Sequence, residues 1–199
     1  EKLSIQDVLS DSLEIVDQQV KAKKHNITVN YLEKDVTVYG DKARLSQIFS
    51  NIIHNAAKYT SEQGSITVDI REEGVMVVVA VKDNGMGIPE DRLKDVFNMF
   101  TQIEAHSTHT KGGLGIGLTL VSKLVMLHHG DVSVMSEGLG RGSTFEVRLP
   151  ISKMAFLELT FNVTQSISRS IPNSGMLGLI ALPTKSLFHR KDGTVLSRL

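Results

Sequence analysis

Residues 75–89 read Val75-Met76-Val77-Val78-Val79-Ala80-Val81-Lys82-Asp83-Asn84-Gly85-Met86-Gly87-Ile88-Pro89. From Val75 to Val81 the chain is apolar without interruption, so an extended segment here is apolar on both faces. That pattern belongs to a strand at the centre of a sheet. At about a third of the length needed to cross a bilayer, the run is too short for a membrane span. It ends in a carboxylate, Asp83, followed by glycines on either side of a methionine and then Ile88-Pro89. A plain Asp-Asn-Gly turn also ends strands. Two glycines around a large apolar residue exceed what a turn needs. They let a flat ring approach the backbone beside a carboxylate able to accept a hydrogen bond from an exocyclic amine.

Working outward, Ser65–Arg71 alternates as a second strand, joined to the first by Glu72-Glu73-Gly74. Upstream, Asp41 is placed to cap a helix in which Leu45, Ile48, Ile52 and Ala56 recur at spacings of three and four. Ile27–Leu32 and Val36–Tyr39 read as short strands. Ser4, with Asp7 three positions on, reads as the start of a first helix whose apolar face is Val8, Leu9, Ile15, Val16 and Val20. Downstream, Pro89 opens a short helix at its first position, and Thr101–Lys111 is a loop with little apolar content. Leu114–His129 reads as a third long helix ended by Gly130. Asp131–Ser136 and Ser143–Leu149 read as closing strands. The expected fold is α/β: a two-layer sandwich of a mixed sheet with three long helices on one face.

Composition narrows the class. The 199 residues carry 22 basic and 22 acidic side chains, so no global field selects nucleic acid or an anionic membrane as partner. Residues 1–150 hold 16 basic against 20 acidic side chains, net −4, and residues 151–199 hold 6 against 2, net +4. This hints at a boundary near Pro150. The absence of cysteine excludes disulfides, thiolate metal sites and cysteine nucleophiles. No signal peptide opens the chain, and the expected setting is cytoplasmic, without membrane contact by this fragment.

Three further stretches carry chemistry. In Asn51-Ile-Ile-His-Asn55-Ala-Ala-Lys58-Tyr59-Thr60, the amides of Asn51 and Asn55 share a helix face. Their oxygens are hard, neutral ligands suited to a magnesium ion that already holds phosphate oxygens. Lys58 offers a point charge and Tyr59 a ring face. Taken alone, these residues equally suit the solvated side of an amphipathic helix. Gly112-Gly113-Leu114-Gly115-Ile116-Gly117-Leu118 runs into the third helix and exposes N–H groups where the dipole is positive, as a phosphate site does. No Lys follows Gly117, so it is not a P-loop, and its Gly-x-Gly-x-Gly spacing is not a dinucleotide fingerprint. Gly140-Arg141-Gly142-Ser143-Thr144-Phe145 leads into the last strand and means little by itself.

In this order and at these separations, the four stretches resemble the N box and the three glycine boxes of the ATP-binding domain of sensor histidine kinases. That domain (the Bergerat, or GHKL, fold) is shared with gyrase, Hsp90 and MutL. Asp95-Val96-Phe97-Asn98-Met99-Phe100 resembles the family's F box. The resemblance covers about residues 1–150 and implies ATP and Mg2+ as cofactors. It implies that Asn55 ligates the metal, with Asn51 one turn earlier, that Lys58 touches phosphate and that Tyr59 lies against adenine. Asp83 would read the adenine amine with Thr144 helping through water, above a floor of Gly85, Gly87 and Ile88. Thr101–Lys111 would be the ATP lid, with Lys111 near the phosphates, Gly113, Gly115 and Gly117 as hinges, and Leu114 and Leu118 beside them.

Position 51 separates two chemistries within the resemblance. Hydrolysing relatives carry a glutamate there, whereas Asn51 cannot act as a general base. ATP is therefore expected to be kept for transfer to a histidine on a separate dimerisation domain of the same kinase, with a downstream receiver domain as the next acceptor. The seven histidines here are followed by Asn, Asn, Ser, Thr, His, Gly and Arg, never by the acidic residue expected beside a phosphoacceptor. The chain is thus expected to bind ATP without phosphorylating itself, and to be monomeric. Residues 151–199 read as a linker or the stub of something truncated. Two other readings compete: an ATPase clamp of the gyrase or Hsp90 type, and an interaction module that keeps the fold without turnover.

Overall fold

A computed structural model describes residues 1–98 and 116–152. The expected lid, together with Lys111, Gly113, Leu114 and Gly115, and the stretch 153–199 lie outside the described residues. The elements run β1 (Lys2–Ser4), α1 (Ile5–Ala22), β2 (Asn26–Asn30), β3 (Thr37–Tyr39), α2 (Lys42–Tyr59), β4 (Ser65–Glu73) and β5 (Met76–Asp83). After a short 3-10 helix, Glu90–Asp95, come α3 (Gly117–Leu127), β6 (Asp131–Met135) and β7 (Ser143–Pro150). Among these, no helix is long and apolar enough to cross a membrane.

The five-stranded sheet has the order β2-β4-β5-β7-β6, parallel at β2–β4 and antiparallel elsewhere. As its unbroken apolar run requires, β5 sits in the middle, with Val77 to Val81 all buried. Alternation sends Ile66, Val68 and Ile70, Val77, Val79 and Val81, and Phe145, Val147 and Leu149 to one side. There they form a single core with the apolar faces of α1, α2 and α3. The other side is polar. Arg71 and Arg148 flank Val78 in register, and both donate to Glu146, at 2.8 and 2.7 Å.

Both N-caps predicted from sequence form: Ser4 Oγ accepts from Asp7 N at 3.1 Å, and Asp41 Oδ1 accepts from Arg44 N at 3.0 Å. Several details differ. Lys2–Ser4 pairs with β3 as a second small sheet, a strand too short to leave a period. Ile15 is 65% exposed, because it falls at the rim of the stripe formed by Ile5, Leu9, Val16 and Val20. Pro89 caps the 3-10 helix rather than occupying its first turn. The left-handed residue after α3 is His129, at φ +58, and not Gly130. Gly130 is required for a different reason: a Cβ there would collide with the Arg148 carbonyl of β7.

Candidate functional site

Asp83 ends β5 on the core side of the sheet, opposite Ser143 of β7. Its carboxylate is 5% exposed and caged by two donors. Oδ1 accepts from Gly85 N at 2.8 Å and Oδ2 from Ser143 Oγ at 2.6 Å. Each oxygen keeps a second lone pair free for a ligand. The carboxylate opens onto a cavity walled by Asn55, Ala56 and Tyr59 of α2, Met86, Gly87 and Ile88 of the following loop, Val96, Leu118 of α3, and Ser143 and Phe145 of β7. Phe97 stacks edge-on against Phe145, with ring centroids 6.3 Å apart. The wall is therefore mostly apolar, with one buried carboxylate and one amide converging on it, the usual constitution of a small-molecule site.

The loop after β5 is held from two directions. Against α2, Met86 N donates to Tyr59 O at 3.1 Å, and Gly85 packs so close that a Cβ would meet Tyr59 O and Thr60 Oγ1. Thr60 Oγ1 is itself buried and has no hydrogen-bond partner among the described residues. Against the segment between β6 and β7, Gly140 N donates to Met86 O at 2.7 Å and Gly142 N to Gly85 O at 3.1 Å. Gly87 and Gly142 both have φ +70, and a Cβ on either would strike backbone, the Gly138 carbonyl and the Asp83 carbonyl respectively. Only glycine fits where two loops press together in this conformation.

The C-terminal end of α2, which presents Asn55 and Tyr59, is fixed from below. Lys23 Nζ donates to the carbonyls of Ala57, Lys58 and Thr60 at 2.9, 2.7 and 3.0 Å. These are the carbonyls that a helix end leaves unsatisfied. Burial lowers the pKa of Lys23, an effect larger than the opposing pull of Glu62. His25 Nε2 lies 3.0 Å from Ser61 O beside them. His54 is pushed below the usual histidine range, by burial first and by the Lys58 charge second.

Of the residues singled out from sequence, the fold brings Asn55, Tyr59, Asp83, Gly87, Ile88 and Leu118 to one cavity. Asn51 lies one turn before Asn55 on α2, off the wall. Lys58 Nζ sits 4.8 Å from the Tyr59 ring centroid. Gly85 underlies the loop instead of facing the cavity, and Gly117 opens α3 with free space around it. Thr144 is a correction: it pairs with Lys82 and points to the opposite side of the sheet, so Ser143 holds the carboxylate in its place. The two-residue period explains this, and it was available in the sequence, since Phe145 is core and Ser143 shares its side. Met86, Val96 and Phe145 were not anticipated as wall residues, because apolar lining looks like core until the cavity is seen.

Residues 40–153, more than half of the chain, match the family described as histidine kinase-, DNA gyrase B-, and HSP90-like ATPase. Among curated proteins, the chain is 36% identical over 140 residues to hybrid signal transduction histidine kinase D of Dictyostelium discoideum, covering 58% of this chain and 9% of that protein. It is 37% identical over 125 residues to sensor protein SrrB of Staphylococcus aureus (strain MRSA252), covering 63% and 21%. It is 39% identical over 130 residues to the autoinducer 2 sensor kinase/phosphatase LuxQ of Vibrio vulnificus (strain YJ016), covering 62% and 15%. The chain thus spans between 9% and 21% of these relatives' length. Among solved structures, the mycobacterial sensor histidine kinase MprB superposes with a TM-score of 0.64 at 24% identity, over 76% of this chain and 97% of that one. A nucleotide-free catalytic domain of histidine kinase ThkA gives 0.66 at 21%, over 76% and 95%. Full-length ShkA in complex with AMPPNP gives 0.64 at 28% identity, over 76% and 31%.

Proposed function

This chain belongs to the family of histidine kinase-, DNA gyrase B- and HSP90-like ATPases, and from that premise we propose that residues 1–150 are the ATP-binding domain of a sensor histidine kinase. In this reading the domain holds Mg-ATP at the Asp83 cavity and donates the γ-phosphoryl group to a histidine on a separate dimerisation domain. The phosphoryl group passes on to a receiver domain. The domain works on the cytoplasmic side, and residues 151–199 are a linker or stub.

The observation that carries the reading is the buried Asp83 carboxylate, oriented by Gly85 N and Ser143 Oγ. It faces a mostly apolar wall of a kind that takes a flat heterocycle. Its spare lone pairs accept the adenine amine, and the Tyr59 ring lies along the base. Asn55 would offer one hard, neutral oxygen to a magnesium ion carried with the phosphates. The ion, when bound, supplies charge neutralisation across the phosphates. By resemblance, Lys58 and the lid residue Lys111 are assigned to the phosphates, Asn51 to the turn before Asn55, Gly113, Gly115 and Gly117 to the hinges of the lid, and Leu114 and Leu118 to positions beside them. An imidazole nitrogen of the acceptor attacks the γ-phosphorus. A P–N bond forms, the bond to the β,γ-bridging oxygen breaks, and ADP leaves with that electron pair. Positioning and electrostatics supply most of the rate. The Asn51 amide cannot deprotonate water, which argues against the hydrolysing mode.

The test adds a purified histidine-bearing hairpin and γ-labelled ATP to the chain. The expected result is acid-labile label on the hairpin histidine, lost with Asp83→Ala, and no label on the chain when the hairpin is omitted. Release of phosphate without transfer would favour an ATPase clamp. Neither transfer nor release, with no nucleotide binding in a calorimetric titration, would leave an interaction module.

A further inference from the structure

Ser136, the first residue after β6, sits where the two loops around the cavity meet. Its hydroxyl accepts from Ile88 N at 2.9 Å and from Gly138 N at 3.3 Å, and donates to Gly142 O at 2.6 Å. One donor and two lone pairs are all that a hydroxyl has, so every valence is spent on backbone. Two of the three partners are one residue from, or within, the cavity wall: Ile88 lines it, and Gly142 precedes Ser143, which lines it and holds Asp83 Oδ2. The close approach of Gly87 to the Gly138 carbonyl lies in the same junction.

From this geometry we infer that Ser136 is a positioning residue for the nucleotide cavity, acting through Ile88 and Ser143 without touching ligand. The inference rests on the reading above. Replacing the hydroxyl with hydrogen leaves the Ile88 and Gly138 N–H groups and the Gly142 carbonyl without this partner, so the junction is held only by the Gly140 N–Met86 O and Gly142 N–Gly85 O bonds. The floor at Ile88 then loses its side-chain tie to the segment that carries Ser143. Alanine at this position therefore acts on affinity more than its effect on global stability predicts.

The experiment titrates the full 199-residue chain with Mg-AMPPNP for wild type, Ser136→Ala, Ser136→Thr and Ser12→Ala, and follows amide exchange at Ile88. Ser12 is the control. Its buried hydroxyl donates to Val8 O at 2.7 Å within α1 and lies 3.2 Å from Ser46 O of α2, away from the cavity. Ser136→Ala is expected to weaken binding about tenfold and to speed Ile88 exchange, and Ser136→Thr to restore both. Ser12→Ala is expected to lower stability while leaving affinity and Ile88 exchange alone. Unchanged affinity and exchange in Ser136→Ala would overturn the inference. So would losses of affinity in Ser136→Ala and Ser12→Ala that simply track their losses of stability. If wild type binds no nucleotide while Ser136→Ala still frees Ile88, the proposed function falls and takes the nucleotide role of Ser136 with it. The exchange readout distinguishes that failure from an inert junction.

Discussion

His54 directly precedes Asn55 of the cavity wall and shows how α2 divides its labour. Asn55 turns to the cavity, while His54 lies on the exposed outer side of α2, where partial desolvation by its neighbours, and then Lys58 four residues on, hold its imidazole below the usual range. A histidine whose folded pKa is depressed contributes stability above its ordinary value of 6.5. That stability is lost as the pH falls through the folded value. In an NMR titration, the His54 midpoint is expected below 6.5, and Lys58→Met should move it only part of the way back, since burial is the larger cause. A midpoint at or above the ordinary value would contradict this account. At this scale much of the site was legible, because Asn55, Tyr59 and Asp83 need only helical spacing and a strand end to be placed. The hydroxyl beside Asp83 is that of Ser143, whereas the resemblance implies Thr144. Both are hydroxyls, and only the strand register decides which one faces Asp83.

At the scale of elements, caps and periods were legible and terminations were not. Ser4 and Asp41 announce α1 and α2 because a side-chain oxygen ahead of an apolar stripe has few other uses. The end of α2 carried no such signal, since it is capped from a distance by Lys23, beyond any local pattern. Those three bonds hold the turn that presents Tyr59. Lys23→Met is expected to cost about 1–2 kcal/mol, the lower part of the range for hydrogen bonds to a charged group, because the ammonium is only partly buried. A lower urea midpoint, together with faster amide exchange at Thr60, is the result to look for. If exchange at Thr60 is unchanged, the carbonyls are being satisfied by water and the cap is incidental.

Across the whole molecule, the sheet was legible as mixed and half covered, but its strand order was not, because order depends on which distant strands meet. The polar side adds a network in which Glu146, its side chain 9% exposed, joins Arg71 and Arg148 above Val78. Glu146→Ala leaves both guanidinium groups to share the more exposed Glu73, 2.7 Å from Arg71 Nε and 3.7 Å from Arg148 Nε. It should lower stability by about 1–2 kcal/mol, a figure reduced for the partial exposure of both arginines. Chemical denaturation in low and high salt would reveal a loss that is partly screened, and no loss in either would mark the network as decorative. The register of β5 on β7 has a further consequence, in time rather than in space. The hairpin β4–β5 closes locally, whereas Asp83 meets Ser143 across 60 residues of chain, and contacts of such separation are slow to form. The cavity should therefore be absent from the folding transition state, so that nucleotide slows unfolding while leaving the refolding rate unchanged. Stopped-flow chevrons with and without Mg-AMPPNP would decide it, and faster refolding with ligand would mean that the two strands had already met before the barrier was crossed.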